Sequence, residues 1–237
     1  MTAITVTTAD GPMDVYVARP DTPNGRAVVV LQEAFGVNAH IRDIAQRFAE
    51  RGYLAVAPDL FHRTNTGEIG YDQHAEAMGL IGALGPDQTI TDVRAVVDRL
   101  ESTEDVARPD IAVVGFCFGG RAAFTAATAL PALGAAVVFY GPGIAAGPFA
   151  VLDRAASITA PLLLHVGADD PTIPAEQVQA IDAALDKAGV DYEQHVYASA
   201  GHAFACDARP AMYRADAAAT AWDRTHTFLA ERLRVTR

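Results

Sequence analysis

The sequence of 237 residues holds a single lysine, Lys187, only two cysteines, and no apolar run near the ~20 residues that a membrane-spanning helix needs. Positive charge is scarce: 18 Lys and Arg stand against 29 Asp and Glu, a formal net charge of −11. A surface that neutralises phosphates needs clustered cations, so nucleic acid is excluded as a partner and an anionic membrane surface is disfavoured. Two cysteines cannot build a disulfide framework, and the Cys-x-x-Cys and Cys/His spacings of redox and zinc motifs are missing. The opening MTAITVTTADGPMDVYVARP lacks the basic stretch followed by an apolar one that marks a secretory leader. The chain therefore reads as a cytoplasmic protein, monomer or homodimer.

What is present is apolar and patterned. Hydrophobic residues make up 51% and charged residues 20%, inside the range of globular proteins. Short β-branched runs alternate with longer stretches of helical periodicity, which implies parallel strands joined by crossover helices. Residues 3–18 read as antiparallel edge strands, RAVVVLQ (26–32) as a buried strand and 38–51 as a helix with Gly52 past its end; YLAVAP (53–58) is the next strand. Residues 59–89 are polar with weak periodicity and read as an excursion at one edge, before a helix over 90–100. Strands follow at 111–116, 134–141, 161–167 and 191–197, with helices after Cys117, at 175–188 and at 212–233. No repeat or linker divides the chain, so residues 1–237 read as one α/β domain with a mostly parallel sheet flanked by helices.

The strongest local signal is VVGFCFGGRAAF, a buried strand running straight into Gly-x-Cys-x-Gly-Gly and a helix. In such an elbow the central side chain projects from a strained turn, glycines let the backbone pass closely, and the helix N-terminus favours a thiolate. Cys117 is thus a candidate nucleophile. A nucleophile of this kind needs a base and an orienting acid. Asp169 and Asp170 follow one later strand and His202 follows another, in the order nucleophile, acid, His that α/β-hydrolases use. His40, His62, His74, His165, His195 and His226 have no such company and read as packing or solvated residues.

Six segments carry a resemblance: LQEAFGVNAHIRD (31–43), GYLAVAPDLF (52–61), VGFCFGGRAAF (114–124), GADDPTIP (167–174), AGHAFA (200–205) and AWDRTHTFL (221–229). Together they resemble the dienelactone hydrolases, carboxymethylenebutenolidase-like enzymes of the α/β-hydrolase superfamily. The resemblance implies a triad of Cys117, Asp170 and His202, with Asp170 favoured over Asp169 because the family's acid lies four residues before the proline that is Pro174 here. It implies an oxyanion hole from the backbone N–H groups of Ala34 and Phe118, and a carboxylate, Glu33, beside the thiol. Phe35, Cys206 and Arg209 are candidate substrate-binding residues. Two departures matter: the position four after the His, an arginine in the well-known enzymes, is Cys206, and residues 64–93 contain no arginine at all. Arg209, Arg63 and Arg121 are the possible stand-ins.

The expected function is hydrolysis of a small lactone or activated ester through a thioester acyl-enzyme, with no metal or organic cofactor. The alternative is a non-hydrolytic ligand-binding or thiol-redox protein on the same scaffold, using Cys117 and Cys206 as a sensor pair. With the family arginines missing from their places, neutral lactones or aryl esters are expected to be cleaved at least as well as dienelactone. Cys206 is expected near the cleft.

Overall fold

In the computed structural model, which describes residues 2–64 and 66–233, eight strands form one sheet. They are β1 (Thr2–Thr8), β2 (Gly11–Ala18), β3 (Ala27–Leu31), β4 (Leu54–Pro58), β5 (Ile111–Phe116), β6 (Ala135–Phe139), β7 (Leu162–Gly167) and β8 (Tyr192–Tyr197). The helices are α1 (Ala39–Glu50), α2 (His74–Ala83), α3 (Pro86–Thr103), α4 (Phe118–Ala127), α5 (Ala175–Ala188) and α6 (Ala215–Arg232). The spatial order β1-β2-β4-β3-β5-β6-β7-β8 is antiparallel only where β2 meets β1 and β4, and parallel from β4 onward.

Side-chain alternation explains the two-faced core. Along β3, Ala27, Val29 and Leu31 join the apolar cluster under α3, α4 and α5, while Val28 and Val30 join the cluster under α1 and α6. Both faces of the central strands are buried, so they read as continuous apolar runs rather than alternating ones. Helix α1 starts where Asn38 Oδ1 accepts the Ile41 N–H at 3.1 Å, and it stops before Gly52, whose φ of +91° an L side chain would resist. Among the described residues, no helix is long and apolar enough to cross a membrane.

Two expectations need correction. Residues 59–89 are not irregular throughout: α2 forms there, and α3 begins at Pro86 rather than at 90. Helix α2 buries only Ala77 and packs on a small cluster around Phe35 and Ile69, so its sequence carries no apolar stripe. The start of α3 rests on local chemistry, a proline in its first turn and Gln88 Oε1 accepting the Gly85 N–H at 3.0 Å. The final helix begins at Ala215, since residues 209–213 form turns instead.

A buried ionic clamp ties the excursion to the sheet. Asp92 of α3 is fully buried and accepts two bonds from Arg63, at 2.6 and 2.8 Å, with His62 Nε2 at 3.3 Å. Arg63 also donates to Asp10 in the β1–β2 turn at 2.8 Å. Arg63 is part exposed and keeps Asp10 as a partner, so Asp92→Ala should lower the unfolding free energy by about 1–3 kcal/mol. Urea denaturation measures this, and a loss below about 1 kcal/mol would mean that the clamp holds nothing.

Candidate active site

The functional candidates converge because they follow strands that all point the same way. Glu33 comes after β3, Cys117 after β5, Asp170 after β7 and His202 after β8, and the carboxyl ends of parallel strands open onto one crevice. Cys117 occupies φ +53°, ψ −119°, a conformation that an L residue rarely adopts. Its N–H is held by the Phe139 carbonyl at 3.0 Å, and its carbonyl accepts the Gly120 N–H at 2.9 Å. The glycines around it are obligatory for packing. A Cβ on Gly115 would collide with the Gly119 carbonyl, one on Gly119 would meet the Gln32 carbonyl at 2.5 Å, and one on Gly120 would meet the Phe139 carbonyl at 2.6 Å.

His202 donates from Nδ1 to Asp170 Oδ2 at 2.8 Å. The other oxygen of Asp170 accepts the Thr172 N–H at 2.8 Å and its hydroxyl at 2.6 Å, an Asx turn that fixes the carboxylate. Asp170 is buried, whereas its neighbour Asp169 is exposed. Burial raises the Asp170 pKa, but the bond to His202 and the Thr172 donors outweigh it, leaving the carboxyl below its usual range. For His202 burial opposes the charged ring, yet the bonds to Asp170 and to the Cys117 sulfur prevail and push its pKa up to about 10. The fully buried Tyr140 ring packs edge-on against the imidazole, centroids 5.4 Å apart.

Glu33 is fully buried, and among the described residues no Lys, Arg or His lies within ion-pair distance of it. Cys206 Sγ donates to Glu33 Oε2 at 3.7 Å and itself lies 3.7 Å from the Tyr71 hydroxyl. Burial, and then the nearby Glu33 carboxylate, raise the Cys206 thiol to about 12. Among the described residues the Tyr140 hydroxyl has no hydrogen-bond partner, and its pKa is raised well above the ordinary value, first by burial and then by the nearby Glu33 carboxylate.

Of the candidate substrate-binding residues, Phe35 and Arg209 meet at the rim. The Arg209 guanidinium lies 5.5 Å over the Phe35 ring and 5.2 Å over the Tyr71 ring. Arg121 sits 5.5 Å over Phe118 and 5.4 Å over Phe149, and its pKa is lowered by burial despite the Cys117 charge. Arg63 is taken up by Asp92 and Asp10. Among the described residues neither Arg209 nor Arg121 has a carboxylate within ion-pair distance. The backbone N–H of Phe118 opens α4, where first-turn donors have no helical acceptor, and the Ala34 N–H meets no backbone acceptor among the described residues. Sequence reasoning passed over Thr172, Tyr140 and Tyr71; only Thr172, inside an Asp-x-Thr turn, carried a local signal.

The family model of the "Dienelactone hydrolase family" matches residues 13–233. A provisionally named carboxymethylenebutenolidase of Yersinia pestis is 36% identical over 223 residues, covering 90% of this chain and 81% of the relative. A counterpart so named from Escherichia coli is 37% identical over 219 residues, covering 90% and 80%. A solved structure described provisionally as a dienelactone hydrolase of Klebsiella pneumoniae superposes with a TM-score of 0.83 at 32% identity, covering 97% of this chain and 99% of that one. A dienelactone hydrolase-like promiscuous phosphotriesterase from metagenomic libraries gives 0.80 at 25% identity, covering 98% and 99%. With an α/β-hydrolase sheet whose strand ends gather a thiol, an imidazole and two buried carboxylates, the chain belongs to the dienelactone hydrolase family.

Proposed function

We propose that this chain, as one cytoplasmic domain, hydrolyses small lactones or activated esters through Cys117, His202 and Asp170. The observation that carries the reading is the strained Cys117 turn beside an imidazole whose far nitrogen is anchored on a buried aspartate at 2.8 Å. The sulfur, its proton taken by His202 or Glu33, attacks the carbonyl carbon. The N–H groups of Ala34 and Phe118 receive the negative charge that develops on the oxygen, an effect worth roughly 3 kcal/mol per donor in other hydrolases. Collapse of the intermediate breaks the ester C–O bond, the leaving oxygen takes a proton from His202, and a thioester remains. Water deprotonated by His202 then attacks the thioester, releasing the acid and restoring the thiol. Thiolate leaves more readily than an amine, so the tetrahedral adduct of an ordinary amide reverts, and lactones and enol esters suit this site better.

The thiol-redox alternative loses its partner thiol. Cys206 is fully buried, bonded to Glu33 and Tyr71, and held protonated by a pKa near 12, which makes a poor attacking group at neutral pH.

Replacing Cys117 with Ala should leave the fold intact and lower aryl-ester turnover by at least about 10⁴-fold. Asp170→Asn should cost far more than Asp169→Asn, because only the buried carboxylate holds the imidazole. Undiminished turnover in the first variant, or equal losses in the second pair, would sink the assignment.

Linkage gives an independent readout. His202 has a folded pKa of about 10 against 6.5 for the free side chain, so its protonation stabilises the native state fully below pH 6.5, and that contribution fades as pH rises to 10. The stability difference between wild type and Asp170→Asn, from denaturant unfolding between those limits, should therefore shrink with rising pH. A difference independent of pH would mean that the pair is not charged.

A second reading of the substrate rests on Arg209, which lies over Phe35 and Tyr71 and, among the described residues, has no carboxylate within ion-pair distance. If it receives a substrate carboxylate, Arg209→Ala should lower kcat/KM for a carboxylate-bearing lactone about two- to fivefold relative to a neutral one. An unchanged ratio would leave neutral esters as the natural class.

A further inference from the structure

Glu33, which the hydrolytic steps use only as a possible proton acceptor, belongs to a group whose other two members, His40 and Cys206, those steps do not use. Glu33, His40 and Cys206 each offer a donor atom, and the three atoms lie within 4.8 Å of one another. All three residues are buried, Glu33 and Cys206 fully and His40 to within 5%. Their pairing is incomplete: among the described residues, Glu33 Oε1 and both ring nitrogens of His40 lack a hydrogen-bond partner. Leaving such atoms unpaired in a dry interior is costly, so an arrangement that keeps several of them facing one another calls for an occupant.

The surroundings suit a cation. Glu33 is a buried carboxylate with no positively charged partner within ion-pair distance among the described residues. His40 Nδ1 sits 3.2 Å from Asp207 Oδ1, out of line for a hydrogen bond yet placed as the outer carboxylate that orients a ligating imidazole. Asp207 in turn is gripped by Arg47. A cleft of about 370 Å³ lined by Asn38, His40, Tyr71 and Ala208 opens on the His40 side of the group.

We propose that Glu33, His40 and Cys206 form a binding site for a zinc-like divalent ion. Imidazole nitrogen, thiolate sulfur and carboxylate oxygen are the donor types that zinc takes, and three protein ligands leave a fourth position for water. Binding replaces the S–H bond of Cys206 with a sulfur–metal bond and releases one proton to solvent; the metal keeps its oxidation state throughout. The ion would draw on the same carboxylate that stands ready for the Cys117 proton. That consequence rests on the proposed catalytic reading, whereas the binding itself does not.

Cobalt(II) tests the binding without any assay of turnover. Chelator-treated protein should take up one Co²⁺ per chain, displaceable by Zn²⁺, with the absorption band of a thiolate-to-cobalt charge transfer. The chain has two cysteines, so the band must persist in Cys117→Ser if Cys206 supplies the sulfur. Cys206→Ser should abolish it, and His40→Ala should weaken Zn²⁺ binding by more than about 100-fold, beyond the about 10–100-fold that losing an outer partner costs. The Cys117→Ser measurement decides the matter even if the buried substitutions fail to fold. A band lost in Cys117→Ser, or no stoichiometric uptake by wild type, would overturn the proposal.

Discussion

Everything at the crevice depends on how tightly the chain turns between β5 and α4. Three glycines let the backbone of residues 115–120 lie directly against the ends of β3 and β6, with carbonyls of Gln32 and Phe139 where Cβ atoms would otherwise stand. That contact does two things at once. It forces Cys117 into a left-handed conformation from which its sulfur projects, and it brings the segment after β3, with Glu33 and Ala34, alongside. Strain of this kind costs of order 1–3 kcal/mol and persists only where packing overdetermines it. Here the buried strands on both sides provide the constraint.

The electrostatic layout follows from that packing. The imidazole of His202 is shielded by Tyr140 on one side and anchored by Asp170 on the other, and the aspartate is itself fixed by Thr172. Low polarity around the ring strengthens each of these interactions and makes an unpaired partner expensive. The charged pair is therefore stable only while both members are present. Glu33 differs in kind, for its only close polar contact among the described side chains is a thiol at 3.7 Å, which carries no charge.

How much of this is legible in the sequence varies with the range of the interaction. The elbow, the strand pattern and the order Cys117, Asp170, His202 are local signals at strand ends, and the geometry gathers them at one edge. Helix α2 was illegible because it covers a four-residue apolar cluster and needs no stripe of its own. Asp169 and Asp170 are indistinguishable by type, and only the Asx turn at Thr172 separates the buried carboxylate from the exposed one. His40 looked like an ordinary helix residue. Its partners, Glu33 and Cys206, lie seven positions before it and far downstream, and no spacing rule joins three donors so distributed.

The neutral thiol at position 206 also bears on selectivity. A buried arginine facing a substrate carboxylate would be fully desolvated and costly to leave unpaired, and so could discriminate strongly. Arg209 and Arg121 are only half-buried, and each lies over aromatic rings that hold the guanidinium plane without neutralising it. Water still reaches such groups, and a pair formed at the rim contributes about 1 kcal/mol at most. On the proposed hydrolytic reading, the interior of this crevice supplies the chemistry, through sulfur, imidazole and backbone donors, while its rim adds a mild preference for charge. On that reading, such a rim discriminates less between charged and neutral acyl groups than a buried arginine closed over the substrate would.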